Sequence, residues 1–172
     1  MRRNNYFLYT KTMIQRIQSL LLLGVALCMG AAVGFDVWTK GSTTQEATVS
    51  AFVLRHQTVV ASGNPQILLE KNVWYIAALY LVSALLAIAT IFLYKNRKQQ
   101  MMVCAVNSLL MTAALAAALF TTKEAELLFE PQRLGSYGMA VYIPLVAMLL
   151  NLVARRFIRR DDELVRSADR LR

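Results

Sequence analysis

The sequence predicts an all-α membrane protein: four transmembrane helices in a bundle, both termini cytoplasmic, and a small β-hairpin in the first outer loop. Three observations predict it. The composition is 57% hydrophobic and only 17% charged over 172 residues, too apolar for an ordinary soluble domain. The apolar residues gather into four runs close to the roughly 20 residues that cross a bilayer. The basic residues, which give a net charge of +9, fall mostly in alternate segments between those runs.

The first run, Ile17–Trp38, carries one charge, Asp36, near its far end. Its apolar core exceeds that of a signal peptide and no clean small-residue cleavage site follows, so a retained helix is expected. The second run, Val73–Tyr94, and the third, Met101–Phe120, are uncharged, and the fourth, Tyr137–Ala154, is the shortest and contains Pro144. A charge at mid-span costs about 3 kcal/mol on insertion scales, so its absence from these runs carries information. Fourteen of the nineteen Lys and Arg residues precede the first run, lie between the second and third, or follow the fourth. Those three segments are therefore the expected cytoplasmic ones, in a bacterial inner membrane. The high net charge reads as a topology signal and no nucleic-acid partner is expected.

The loop at 39–72 is long enough to hold structure of its own. Its β-branched runs Thr48–Leu54 and Gln57–Ser62 flank Arg55 and His56, which reads as a hairpin turning at those two residues. The second outer loop places Leu127, Leu128 and Phe129 among glutamates before Pro131, which predicts one or two helical turns stopped by the proline. Trp38, Trp74, Tyr75, Phe120, Tyr137 and Tyr142 cluster near outer span ends and Tyr94 near an inner one, as an aromatic belt would.

Polar residues inside the spans are few. Asn107 and Asn151 both sit towards cytoplasmic ends, where they could meet across helices and fix register. Pro144 is expected to free the carbonyl near Ala140, which a neighbour must then satisfy. Ala26, Gly30 and Gly34 recur every four residues, a small-residue stripe suited to close helix packing within the bundle or to a homodimer. Cys28 and Cys104 differ in depth and are expected to remain free thiols.

The closing segment, 155–172, explains why so apolar a chain ends in charge. Arg155, Arg156, Arg159 and Arg160 follow the last span, where they would pin its inner end against lipid headgroups. Beyond them Phe157, Asp161, Leu164, Ala168 and Leu171 recur at helical spacing, an apolar stripe broken by Asp161. Such a helix either lies on the inner leaflet or offers Leu164, Ala168 and Leu171 to a protein partner.

Function classes separate on what is missing. The single His56 has no nucleophile or second histidine beside it in sequence, and no phosphate loop or metal-ligand spacing occurs, so no enzyme, metal or cofactor is expected. A transporter or channel usually keeps a charged group at mid-membrane, and none is present, although an uncharged pore in an oligomer stays open as the alternative. The remaining class is an accessory, scaffolding or regulatory membrane protein that docks membrane or cytoplasmic partners through its tail.

The residues "MIQRIQSLLLL" from Met13, "NRKQQ" at Asn96–Gln100 and "FIRRDDELVRSADRLR" at the end resemble a family of small bacterial four-span membrane proteins typical of the Bacteroidota and classed as a domain of unknown function. The resemblance covers Met13 to Arg172 and implies an inner-membrane location with no assigned activity or ligand. Members of that family usually begin at the M-I-Q-R-I-Q element, which makes Met13 a candidate start and leaves the native start open.

Overall fold

The computed structural model describes residues 3–59, 65–130 and 132–170, with side chains from Ile17 on except those of Lys95 and residues 168–170. Four helices are present: α1 (Arg3–Ala32), α2 (Trp74–Phe92), α3 (Arg97–Glu126) and α4 (Met139–Arg170). Five strands accompany them: β1 (Trp38–Gly41), β2 (Gln45–Val49), β3 (Val53–Thr58), β4 (Ile67–Asn72) and β5 (Ser136–Tyr137). All pairings are antiparallel, in the order β4-β3-β2-β1-β5. The all-α expectation is therefore wrong: the chain joins a helical layer to a five-stranded sheet.

The sheet also displaces the expected first span. Helix α1 ends at Ala32, its last turn closing through Gly34 N–H to the Ala31 carbonyl at 3.0 Å. Val37 then donates to the Val49 carbonyl at 2.8 Å and Trp38 enters β1. Gly34 and Asp36 are poor helix formers, and the chain turns there. Three helices are long and apolar enough to cross a membrane: Trp74–Phe92, Arg97–Glu126 and Met139–Ser167. The apolar stretch of α1, Ile17–Ala32, is shorter, roughly 24 Å at 1.5 Å per residue against a hydrocarbon core of about 30 Å.

The expected hairpin is a four-stranded meander. Its β2–β3 turn is at Ser50–Phe52, and Arg55 and His56 lie inside β3, paired with Thr48 and Ala47. Burial alternates along β1 to β3, so that Trp38, Lys40, Ala47, Val49, Leu54 and His56 face inwards. The part of the expected second strand beyond Val59 lies outside the described residues. Strand β4 is exposed throughout, as an edge strand with neither face covered.

The sheet sits on one end of the helices, where α1 and α3 end and α2 and α4 begin. Helix α2 has no side-chain cap at Val73, but the β2–β3 turn replaces one. Phe52 and Ala51 carbonyls accept from the amides of Val73 and Ala77 at 2.7 and 3.1 Å, satisfying groups that a helix start leaves open. Beneath, α1 packs on α2 and α4, and α3 packs on the same two helices. A continuous apolar core runs from Val37, Trp38 and Leu54 through Ile76, Tyr80 and Met111 to Ala147. Trp38, expected in the aromatic belt, is 1% exposed within this core. Trp74, Phe120, Tyr137, Tyr142 and Tyr94 do stand exposed on the outer surface.

Two devices lock the sheet to the helices. Lys40 of β1 is buried, and its ammonium donates to the carbonyls of Glu126, Phe129 and Glu130 at 3.1, 2.6 and 3.0 Å. Its three donors thus bind the last carbonyl of α3 and two of the loop that follows, close to a helix end where a cation is also favoured by the dipole. The same ammonium lies 4.8 Å from the Phe129 ring centroid, and that ring stacks on His56 at 5.1 Å. Helix α3 therefore runs straight into the second loop, and Phe129 is an inward anchor where interfacial helical turns were expected. The second device is close backbone approach: a Cβ on Gly138 would lie 2.0 Å from the Asp36 carbonyl oxygen. Glycine there lets β5 and the start of α4 dock against the end of α1.

Candidate functional site at the arginine-rich helix end

Opposite the sheet, α2 ends in a 3-10 turn at Leu93–Lys95 and α3 starts at Arg97. Asn96 caps α3, its side chain accepting from the Gln99 amide at 3.3 Å. Gln100, 4% exposed, donates to the Thr90 carbonyl at 3.2 Å and so ties the end of α2 to the first turn of α3.

Helix α4 meets this turn. It does not end with its apolar part but continues unbroken into the charged segment as far as Arg170. Its buried stripe through that transition is Asn151, Ala154, Ile158 and Asp161, spaced three or four residues apart. Ala154 and Ile158 form a small core with Leu22 of α1 and Cys104 of α3. Asp161, 2% exposed, makes an ion pair with Arg97. The residue that broke the expected apolar stripe is thus the buried partner of a base at the start of α3. The stripe is rotated from the expected one, leaving Leu164 42% exposed. The side chains of Ala168 and Leu171 lie outside the described residues.

Arg155, Arg156, Arg159 and Arg160 are exposed on the remaining faces. Arg159 pairs with Glu163 at 3.0 Å and Arg166 with Asp162 at 3.0 Å, each one helical turn apart. Arg155, Arg156, Arg159 and Arg166, the acids Asp162 and Glu163, and the apolar Met101, Met102 and Leu152 together line a cleft of about 760 Å³. The bases at the sheet end are placed differently. Arg55, Lys71 and Arg133 pair with Glu70, Glu124 and Glu130 at 3.7, 2.5 and 3.6 Å, Lys40 is consumed by carbonyls, and the remaining base, Lys123, is outnumbered by the acids Asp36, Glu46 and Glu126 at that end. Unbalanced positive charge therefore collects at the α4 end.

Between the two ends lies a buried polar layer. Ser83 of α2 donates to Asn107 Oδ1 at 2.8 Å. Asn151 Nδ2 donates to the Cys104 carbonyl at 2.8 Å and to Ser108 Oγ at 2.9 Å. Asn107 and Asn151, each 1% exposed, are brought into one layer without bonding each other: Asn151 bonds residues of α3 beside Asn107, while Asn107 bonds Ser83 of α2. Asn107 Nδ2 and Asn151 Oδ1 have no protein partner, a donor and an acceptor left over in the same layer.

Nearby, Tyr80 donates its hydroxyl to the Ala140 carbonyl at 2.9 Å. That carbonyl lost its helical partner to Pro144, and Tyr80 is the neighbour that answers it.

The small-residue stripe falls elsewhere. Ala26 is buried, but a Cβ on Gly30 would meet nothing within 4 Å and one on Gly34 only its own helix's Ala31 carbonyl. Close approach of α1 and α4 occurs instead at Gly24, where a Cβ would lie 3.3 Å from Leu150 Cδ1. Cys28 and Cys104 are free. No group of three or more His, Cys, Asp or Glu side chains that could hold a metal occurs among the described residues. Sequence reasoning missed the Arg97–Asp161 pair and the Lys40 anchor. The signal available was an acid inside an apolar stripe, which asks for a partner base.

No curated protein matches the chain. A family model, that of a domain of unknown function designated DUF4293, matches residues 14–171, and the chain belongs to that family.

Proposed function

We propose that this chain is a non-enzymatic, multi-pass protein of a bacterial inner membrane that serves as a scaffold, holding a charged cytoplasmic helix in a fixed orientation for a membrane or cytoplasmic partner. The observation that carries the reading is the buried Arg97–Asp161 pair. It clamps α4 one turn beyond its apolar core, so the arginine-bearing segment leaves the membrane as a rigid extension. The excess of bases at that end supports a cytoplasmic placement, with the sheet on the opposite face. Among the described side chains of this charged segment Leu164 is the large apolar one that stands exposed, and it is the natural contact for a partner.

Truncating the tail after Phe157 would remove Ile158 and Asp161 and damage the helices themselves. The cleaner test is Leu164→Glu, compared with the native chain in crosslinking pull-downs from native membranes. Loss of a reproducible heterologous crosslink, with expression and detergent-resistant folding retained, supports the scaffold. Crosslinks unchanged by the substitution, or only to other copies of the chain, contradict it. The latter favours the second reading, a small oligomeric transporter or channel subunit. That reading draws on the leftover donor of Asn107 and acceptor of Asn151, and it requires Asn107→Leu to abolish solute flux in vesicles.

A further inference from the structure

The geometry points to a binding site for one anionic phospholipid in the cleft between the first turns of α3 and the charged part of α4. The cleft, about 760 Å³, is in the size range of small-molecule sites and its lining changes character along α4. Met101, Met102 and Leu152 line it towards the apolar part of the helices, and four arginines and two acids line it beyond. Leu152, Arg155, Arg156, Arg159 and Arg166 share one side of α4 by helical spacing. The change from apolar to cationic lining occurs where the apolar spans end, the depth at which a phospholipid's glycerol and phosphate lie.

Charge decides which head the cleft takes. Four arginines face two acids, and those acids are already engaged by Arg159 and Arg166. Arg155 and Arg156 make no ion pair among the described residues, so the surplus of two positive charges sits on adjacent side chains. Guanidinium forks suit phosphate oxygens, and a zwitterionic head would bring its own cation against them. The apolar part of the lining argues for a lipid rather than a soluble phosphate. Met102 and Leu152 are 69% and 51% exposed, and on the same side of α4 Leu149 and Leu145 continue the surface into the membrane, a track for an acyl chain.

This inference rests on the membrane reading above but not on the scaffold role, since it needs no protein partner and leaves Leu164 untouched. The test uses the full chain in a non-ionic detergent, titrated with phosphatidylglycerol or phosphatidylcholine and followed by native mass spectrometry. Phosphatidylglycerol is expected to bind at least tenfold more tightly, and Arg155→Gln with Arg156→Gln to bring the two lipids within about twofold. Arg160→Gln removes the same kind of charge from the same helix outside the cleft and is expected to leave the preference intact. Each variant is checked for the native tryptophan emission, so loss of folding is seen separately. Equal affinity for the two lipids overturns the proposal, as does an Arg160→Gln effect equal to that of the cleft variant, which would mean diffuse attraction. Competition by inorganic phosphate or glycerol phosphate as strong as by the lipid also overturns it, because the head alone would then suffice.

Discussion

Replacing Tyr80 by phenylalanine removes one hydroxyl and little else, and the structure gives that hydroxyl a single task. Pro144 has no amide hydrogen, so the Ala140 carbonyl cannot make its bond four residues on. Tyr80, with no exposed surface, supplies the missing donor at 2.9 Å. Without it a buried carbonyl is left unsatisfied, which costs about 1–3 kcal/mol. The cost should depend on the proline. In a Pro144→Ala background the helix supplies its own amide, and Tyr80→Phe should then cost no more than about 0.5 kcal/mol. The coupling between the two sites is therefore expected to be about 1–2 kcal/mol, read by a double-mutant cycle. Equilibrium unfolding in mixed micelles of increasing SDS content measures each variant, with Trp38 fluorescence as the probe in a Trp74→Phe background. Additive costs, or a neutral Tyr80→Phe in the native background, would refute the reasoning.

Three further outcomes test the sheet's attachment. Lys40→Met strips three carbonyls of their donor and should destabilise the protein by about 3 kcal/mol, with proteolysis opening the segment around Phe129 first in a time course. Gly138→Ala should cost at least about 1–3 kcal/mol as an overpacked contact, because its Cβ meets backbone rather than a side chain that can swing away; unfolding midpoints of Gly138→Ala and the milder Gly24→Ala give the comparison. Burial holds the His56 imidazole below its ordinary pKa of 6.5, so folding favours the neutral ring. That contribution is full above pH 6.5 and is lost as pH falls through the lower folded value, so stability should drop as pH falls below 6.5. His56→Phe should flatten that part of the profile, and an unchanged slope would exclude His56 as its source.

What the sequence made legible was whatever depended on local pattern. Uncharged runs identified α2 and α3, and the sorting of bases by segment separated the two ends. Pro144 announced that a carbonyl near Ala140 would need a donor, although the identity of that donor, Tyr80, depends on how α2 packs against α4. The sheet was hidden for the opposite reason. Its fifth strand is two residues, Ser136 and Tyr137, too short to show periodicity, and it exists only because β1 lies beside it. Trp38 read as an interfacial anchor because an apolar run led up to it, yet a chain turn at Gly34–Asp36 carries it into β1. Asp161 read as a flaw in an amphipathic stripe because its partner, Arg97, belongs to another helix. In both cases the deciding contact is distant in sequence, where periodicity has nothing to say.

The account rests on the sheet and the arginine-rich end of α4 lying on opposite sides of one membrane. Single cysteines at Thr43, in the turn between β1 and β2, and at Gln99, in the first turn of α3, report on this directly in a chain whose Cys28 and Cys104 are replaced by alanine; both positions are exposed. A membrane-impermeant maleimide should label Thr43→Cys from the outer face of the inner membrane and reach Gln99→Cys only after that membrane is permeabilised. Labelling of both from the same face would contradict the account.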